Sequence, residues 1–128
     1  MEKQMKFIDA NIVIKAFTED DDQESCRKLL SSEFVTNTLV LVEAFNAISR
    51  IKNDRVSASN SIKSLFKANC IIVDLNRNLL FESLKRIDKY NLDFPDFIHY
   101  TSALTNNCSD IVSFDKDFDN TDLRRIEP

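Results

Sequence analysis

An α/β fold, a three-layer α/β/α sandwich around a central and mainly parallel sheet, is what the order of apolar segments predicts. Short runs of strand length (MKFI, FVT, CIIVDL, DIVSF) alternate along the chain with longer segments of helical period. That alternation implies parallel strands joined by helical crossovers. The length fits a single domain over residues 1–128, since ~100–200 residues is the usual size of one folding unit. No repeat, linker or low-complexity stretch divides it.

Met5–Ile8 is too short for a helix and reads as a strand closing on Asp9. Residues 11–18 read as a helix, and the acidic stretch EDDDQES leads into a second that runs to Leu30. A brief strand is expected at 34–36, then a helix from Thr38 to Lys52 and another across 57–67. CIIVDL reads as a buried strand over 70–75, followed by an amphipathic helix over 76–90 with Leu79, Leu80, Leu84 and Ile87 on one side. Asp93-Phe94-Pro95 opens a helix to about Asn106, and strands follow at 110–114 and 123–126.

Composition excludes several classes. There is no glycine, where average usage of about 7% would give roughly nine. Without it there is no glycine-rich phosphate loop, so dinucleotide folds and P-loop enzymes drop out. Asn37, Asn69, Asn106 and Asn107 are the residues expected to take left-handed positions instead. A net charge of −4 argues against nucleic-acid binding by overall electrostatics. Cys26, Cys70 and Cys108 are odd in number and in no metal-ligand spacing, which points to a reducing compartment. The N-terminal MEKQMKFIDA has no signal-like apolar segment, and no run approaches the ~20 residues that span a bilayer. A cytoplasmic protein with no membrane contact is expected.

Four acids stand at places where an open α/β sheet puts chemistry, and each also has a structural explanation. Asp9 ends the first strand and suits an N-cap. Asp96 lies three residues after Asp93, as in a capping box. Asp115 follows the strand DIVSF and sits with Asp117, Asp119 and Asp122 in an acidic turn. The spacing of 115, 117 and 119 is not a calcium loop, because its sixth position is Asn120 and its twelfth Ile126. Glu43 is the hardest to explain structurally, set in the apolar TLVLVEAFNAI. It shares one stripe with Thr36, Asn46 and Arg50, so a contact with Arg50 is its structural explanation. His99, one turn after Asp96, reads as a satisfied core or surface residue rather than a ligand. If the four acids converge, a pair of like charges at 4 Å costs ~4 kcal/mol at an effective dielectric of 20. A cation must offset that, and oxygen-only ligands favour Mg²⁺ or Mn²⁺.

FIDANIVI, VEAFNAI, FPDFIHYTSAL and VSFDKDF resemble, in order and spacing, the signatures of PIN domains, above all the small toxins of VapBC toxin–antitoxin pairs. The resemblance covers essentially the whole chain. It implies a PIN-like fold and a metal-dependent endoribonuclease whose catalytic acids are Asp9, Glu43, Asp96 and Asp115. By the same likeness Asn11 and Ser113 support the site, and Asp117 competes with Asp115 for the fourth place. One or two Mg²⁺ or Mn²⁺ ions would be held mainly by Asp9 and Asp96, with Glu43 and Asp115 completing the set. Arg50 is the best candidate to hold the RNA backbone. A cognate antitoxin and a homodimer are the implied partners.

Two rival readings differ in class. A phosphorelay receiver domain is also a small α/β fold with acids at strand ends, and Asp74 would be its phosphoacceptor. It wants an acidic pair after the first strand and a Lys after the fifth, and the chain has neither. The other rival keeps the fold without catalysis, as a scaffold for RNA or protein.

Overall fold

The computed structural model describes residues 4–128, so the first three residues of MEKQMKFIDA lie outside it. Five strands, β1 (Met5–Ile8), β2 (Phe34–Asn37), β3 (Cys70–Val73), β4 (Cys108–Val112) and β5 (Arg124–Ile126), form one sheet. Its order is β3-β2-β1-β4-β5, and every pairing is parallel. The helices are α1 (Ala10–Ala16), α2 (Gln23–Leu30), α3 (Thr38–Lys52), α4 (Arg55–Leu65), α5 (Arg77–Leu84) and α6 (Phe94–Thr105). A 3₁₀ turn follows at Lys116–Asn120.

The chain winds outward from β1 to β3, then crosses back to β4 on the other side of β1. Right-handed crossovers in opposite directions put their helices on opposite faces. The packing agrees: α1 lies on α2 and α3, α3 on α4, while α6 lies on β1, β2 and β4 with α5 outside it. Winding reverses beside β1, so the carboxyl ends of β1 and β4 open a crevice where such sheets bind ligands. The central strands are sealed on both faces, with Phe7, Ile8, Val35, Ile111 and Val112 fully buried. That burial is what a parallel sheet covered by helices requires.

Most predicted elements are present, with four differences. The helix expected over 76–90 stops at Leu84. Beyond it the backbone tightens to i→i+3 bonds, from Arg86 N to Ser83 O (3.1 Å) and from Ile87 N to Leu84 O (3.3 Å). Of its apolar stripe only Leu79 enters the core, while Leu80, Leu84 and Ile87 are exposed, as is Phe81 at 60%. CIIVDL is an edge strand rather than a buried one, and Ile71 faces solvent. The strand expected at 110–114 begins two residues earlier, at Cys108. Positive φ occurs at Asn53 (49°) and Asn107 (59°), not at Asn37, Asn69 or Asn106. Asn53 ends α3 and Asn37 begins it in extended conformation, so both work as caps. The three cysteines are free thiols. Among the described residues no helix is long and apolar enough to cross a membrane. The receiver reading fails on topology: β3 is an edge strand separated from β1 by β2, which leaves Asp74 away from Asp9.

Candidate active site

Asp9 is the first residue past β1, and it does the capping work its position predicts: Oδ1 accepts from Ala10 N at 2.7 Å. Its other oxygen, Oδ2, accepts from Ser113 Oγ at 2.6 Å and from Asn11 Nδ2 at 3.3 Å. Held by these donors and 6% exposed, its carboxylate has one available orientation. Ser113, fully buried past the end of β4, is the hub of the crevice. Its Oγ also accepts from Asp115 N (2.9 Å) and Asn11 Nδ2 (3.1 Å), while Asn11 Oδ1 accepts from Phe114 N (3.2 Å). The switch point is thus stitched by side chains from both sides of it.

Asp96 stands in the first turn of α6. Asp93 is the N-cap residue, but its side chain makes no capping bond, so the expected capping box does not form. Asp96 instead converges with Asp115 and Asp117, and one carboxylate oxygen from each lies within 4.8 Å of the others. Burial, then the charges of Asp9 and Asp115, push the Asp96 carboxyl up from 3.8 to about 7. Asp115 is half-buried and accepts from Asp117 N at 3.0 Å, and Asp117 is exposed. Asp117 therefore belongs to the cluster while lying in the exposed turn. The other two acids of that turn have partners: Asp122 accepts from Tyr100 Oη at 2.6 Å, and Asp119 pairs with Arg125 at 2.9 Å.

Glu43 is less buried than its apolar neighbours suggest, with 37% of its side chain exposed. Its partner is His99, whose Nε2 lies 2.8 Å from Oε1. No contact between Glu43 and Arg50 exists among the described residues, which corrects the pairing expected along the helix stripe. His99 is 1% exposed, packs against Phe7, and also brings Nε2 to 4.0 Å from Asp9 Oδ1. Burial opposes charge on the ring, yet the bond to Glu43 and the charges of Asp9, Glu43 and Asp96 raise its pKa above the ordinary value. Hydrogen bonding fixes the orientation of the ring. Asn37 Oδ1 accepts from Val40 N (2.7 Å), which turns its amide nitrogen toward His99 Nδ1 (3.0 Å) and Ser102 Oγ (2.9 Å). With Asn37 on Nδ1, His99 turns Nε2 toward Glu43 and donates from it.

At the crevice Asp96, Asp115 and Asp117 come within ligand distance of one another, while Asp9 stands close enough for its charge to act on Asp96 and Glu43 joins only through His99, so two of the four predicted acids lie outside that group. Asn11 and Ser113 are within the crevice, and Arg50 lies outside, exposed two turns beyond Glu43 on α3. Sequence reasoning missed Asn37 and His99 as parts of this network. The signal for Asn37 was available, since Asn before an apolar helix is a capping pattern. The oxygen donor set suits a hard divalent cation. Replacing Ser113 with Ala is expected to cost 1–3 kcal/mol of stability, since it strips a bond from Asp9 and one from Asp115 N. Urea unfolding measures it, and an unchanged midpoint sinks the hub assignment.

A family model described as a PIN domain matches residues 6–123. No curated protein matches the chain. Among solved structures, VapC20 of Mycobacterium tuberculosis, a toxin that cleaves the sarcin-ricin loop, is 17% identical with a TM-score of 0.74. That alignment covers 93% of this chain and 98% of VapC20. VapBC2 of Rickettsia felis, bound to a DNA fragment from its promoter, is 16% identical with a TM-score of 0.69, covering 97% and 98%. A toxin–antitoxin complex from Klebsiella pneumoniae is 14% identical with a TM-score of 0.69, covering 88% and 89%. What these proteins share with the chain is the fold.

Proposed function

Because this chain belongs to the PIN-domain family, we propose that it is a metal-dependent endoribonuclease of the cytoplasm and the toxin of a toxin–antitoxin pair. The observation that carries the reading is the convergence of Asp96, Asp115 and Asp117 beside the locked carboxylate of Asp9. Asp9, Glu43, Asp96 and Asp115 are the catalytic acids and metal ligands. Asn11 and Ser113 hold them in place, and Asp117 competes with Asp115 for the fourth place. When bound, Mg²⁺ or Mn²⁺ supplies the charge that offsets these acids and an acidified water for phosphodiester hydrolysis.

The chain's own residues do the rest. Asp9, with its donors on Ala10, Asn11 and Ser113, is a rigid ligand that cannot swing away from the ion. Asp96, pushed up to about 7, would hold the ion as the carboxylate and so give up its proton on binding. Arg50 holds the RNA backbone, and with a net charge of −4 the substrate is chosen by shape and accessible single strand rather than by bulk attraction.

Two apolar surfaces support the partners. The exposed Leu80, Phe81, Leu84 and Ile87 give a second copy of this chain a face to cover, which supports a homodimer. Between α3 and α4, Leu41, Val42, Phe45, Ile62 and Phe66 line a groove of about 340 Å³ on the helix that carries Glu43, an apolar seat for the antitoxin.

Purified protein incubated with mixed cellular RNA tests the reading, with Mn²⁺ or with EDTA, alongside Asp9→Asn, Asp115→Asn and Asp117→Asn. Cleavage is expected with Mn²⁺ only, lost in Asp9→Asn and in whichever of the other two is the fourth ligand. A wild-type protein that neither cuts nor gains thermal stability from Mn²⁺ is the non-catalytic scaffold instead.

A further inference from the structure

His99 is a polar ring set in the core, 1% exposed. It lies under α3 against Phe7, where an aliphatic side chain would fill the space without two polar atoms to satisfy. Both nitrogens are nevertheless satisfied, one by Asn37 and one by Glu43. Glu43 does not need that bond either, since water reaches a side chain that is 37% exposed.

The bonds form a directed chain. Val40 N donates to Asn37, Asn37 to His99, and His99 to Glu43. It starts in the first turn of α3 and returns to α3 through α6, which carries Asp96 one turn before His99. A carboxylate at the rim, outside the group of Asp96, Asp115 and Asp117, is thereby tied to the helix that bears Asp96. The bond engages Oε1, and among the described residues Glu43 Oε2 makes no hydrogen bond.

We propose that His99, oriented by Asn37, is the positioning residue that fixes Glu43 relative to Asp96 for a divalent cation. This rests on the metal-nuclease reading above. It makes His99 a neighbour that acts through a ligand, not a ligand itself, and such neighbours are worth about ten- to a hundredfold in metal affinity.

The test is Mn²⁺ calorimetry on wild type, His99→Leu, His99→Asn, His99→Gln, Glu43→Gln and the double variant Glu43→Gln/His99→Leu. A Gln amide nitrogen reaches the place of Nε2 and an Asn amide the place of Nδ1. His99→Leu and His99→Asn are therefore expected to weaken Mn²⁺ on the order of tenfold, and His99→Gln less than about threefold. In the Glu43→Gln background, His99→Leu is expected to add nothing. Equal weakening with and without the Glu43 carboxylate overturns the proposal, as does unchanged affinity in all three His99 variants. If Leu fails to fold, the Asn and Gln pair gives the same answer. Nitrogen-15 spectra of the metal-free wild type should show the imidazole proton on Nε2, and a proton on Nδ1 instead overturns it. Wild type that takes up no Mn²⁺ overturns the metal reading and this inference with it. Uptake that ignores His99 overturns this inference alone.

Discussion

Asp96→Asn should abolish RNA cleavage and at the same time make the metal-free protein more stable at pH 8. The two effects share one cause. Burial and the charges of Asp9 and Asp115 raise the folded-state pKa of Asp96 from 3.8 to about 7. A carboxyl with a raised pKa binds more protons folded than unfolded, so its ionisation costs stability. That cost is absent below pH 4, grows between pH 4 and 7, and is fully present above 7. At 1.36 kcal/mol per unit it reaches at most ~4 kcal/mol, and partial solvation of the site brings the expected gain from Asn to about 2–3 kcal/mol. For a chain of this size that is roughly 8–12 °C in Tm. Cleavage should fall on the order of a thousandfold, the value of several kcal/mol of lost transition-state stabilisation.

Thermal unfolding in EDTA at pH 4 and pH 8, beside an RNA cleavage assay, reads both effects. A variant no more stable than wild type at pH 8 shows that Asp96 is not crowded by the other acids. One that is stabilised but still cuts RNA moves the chemistry away from this crevice.

How much of this could be read in advance differs by element. The bounds of Thr38–Lys52 are legible to the residue, with Asn53 closing the helix, although Asn37 opens it as an extended cap and not in the left-handed position expected of it. The segment after Asn76 was overextended for a physical reason. Period alone makes Leu79, Leu80, Leu84 and Ile87 one stripe, but it cannot say whether a core or a partner covers that stripe. Only Leu79 meets the core. The sequence leaves the meeting of the acids conditional; Asp96 and Asp115 do come together, with Asp117, at the carboxyl edge of the parallel sheet. The partner of Glu43 did not follow from anything local. His99 is 56 residues away, and the bond exists only because α3 and α6 meet at that edge, whereas Arg50 was the nearest cation along the helix stripe. Contacts within one helix are written in its period, while contacts between layers are written in the topology.

The stabilisation that Mn²⁺ confers should shrink as pH falls, opposite in sign to the metal-free trend. Metal-free protein is relieved by acid because Asp96 takes up a proton below about 7. An incoming ion must displace that proton, so each pH unit below 7 weakens apparent affinity about tenfold. At a concentration a hundred times Kd at pH 8, Mn²⁺ contributes about 2.7 kcal/mol, and at pH 6 the same concentration contributes about half of that. Melting curves with and without Mn²⁺ at both pH values give the two increments directly. The same curves on Asp96→Asn should show a small increment that does not change with pH, since the competing proton has gone. An increment equal at pH 6 and 8 in wild type means the ion binds without Asp96, and the acids of the crevice are then not one site. A wild-type increment that falls with pH while that of Asp96→Asn stays flat ties the proton, the cation and the crowding of these carboxylates to a single residue.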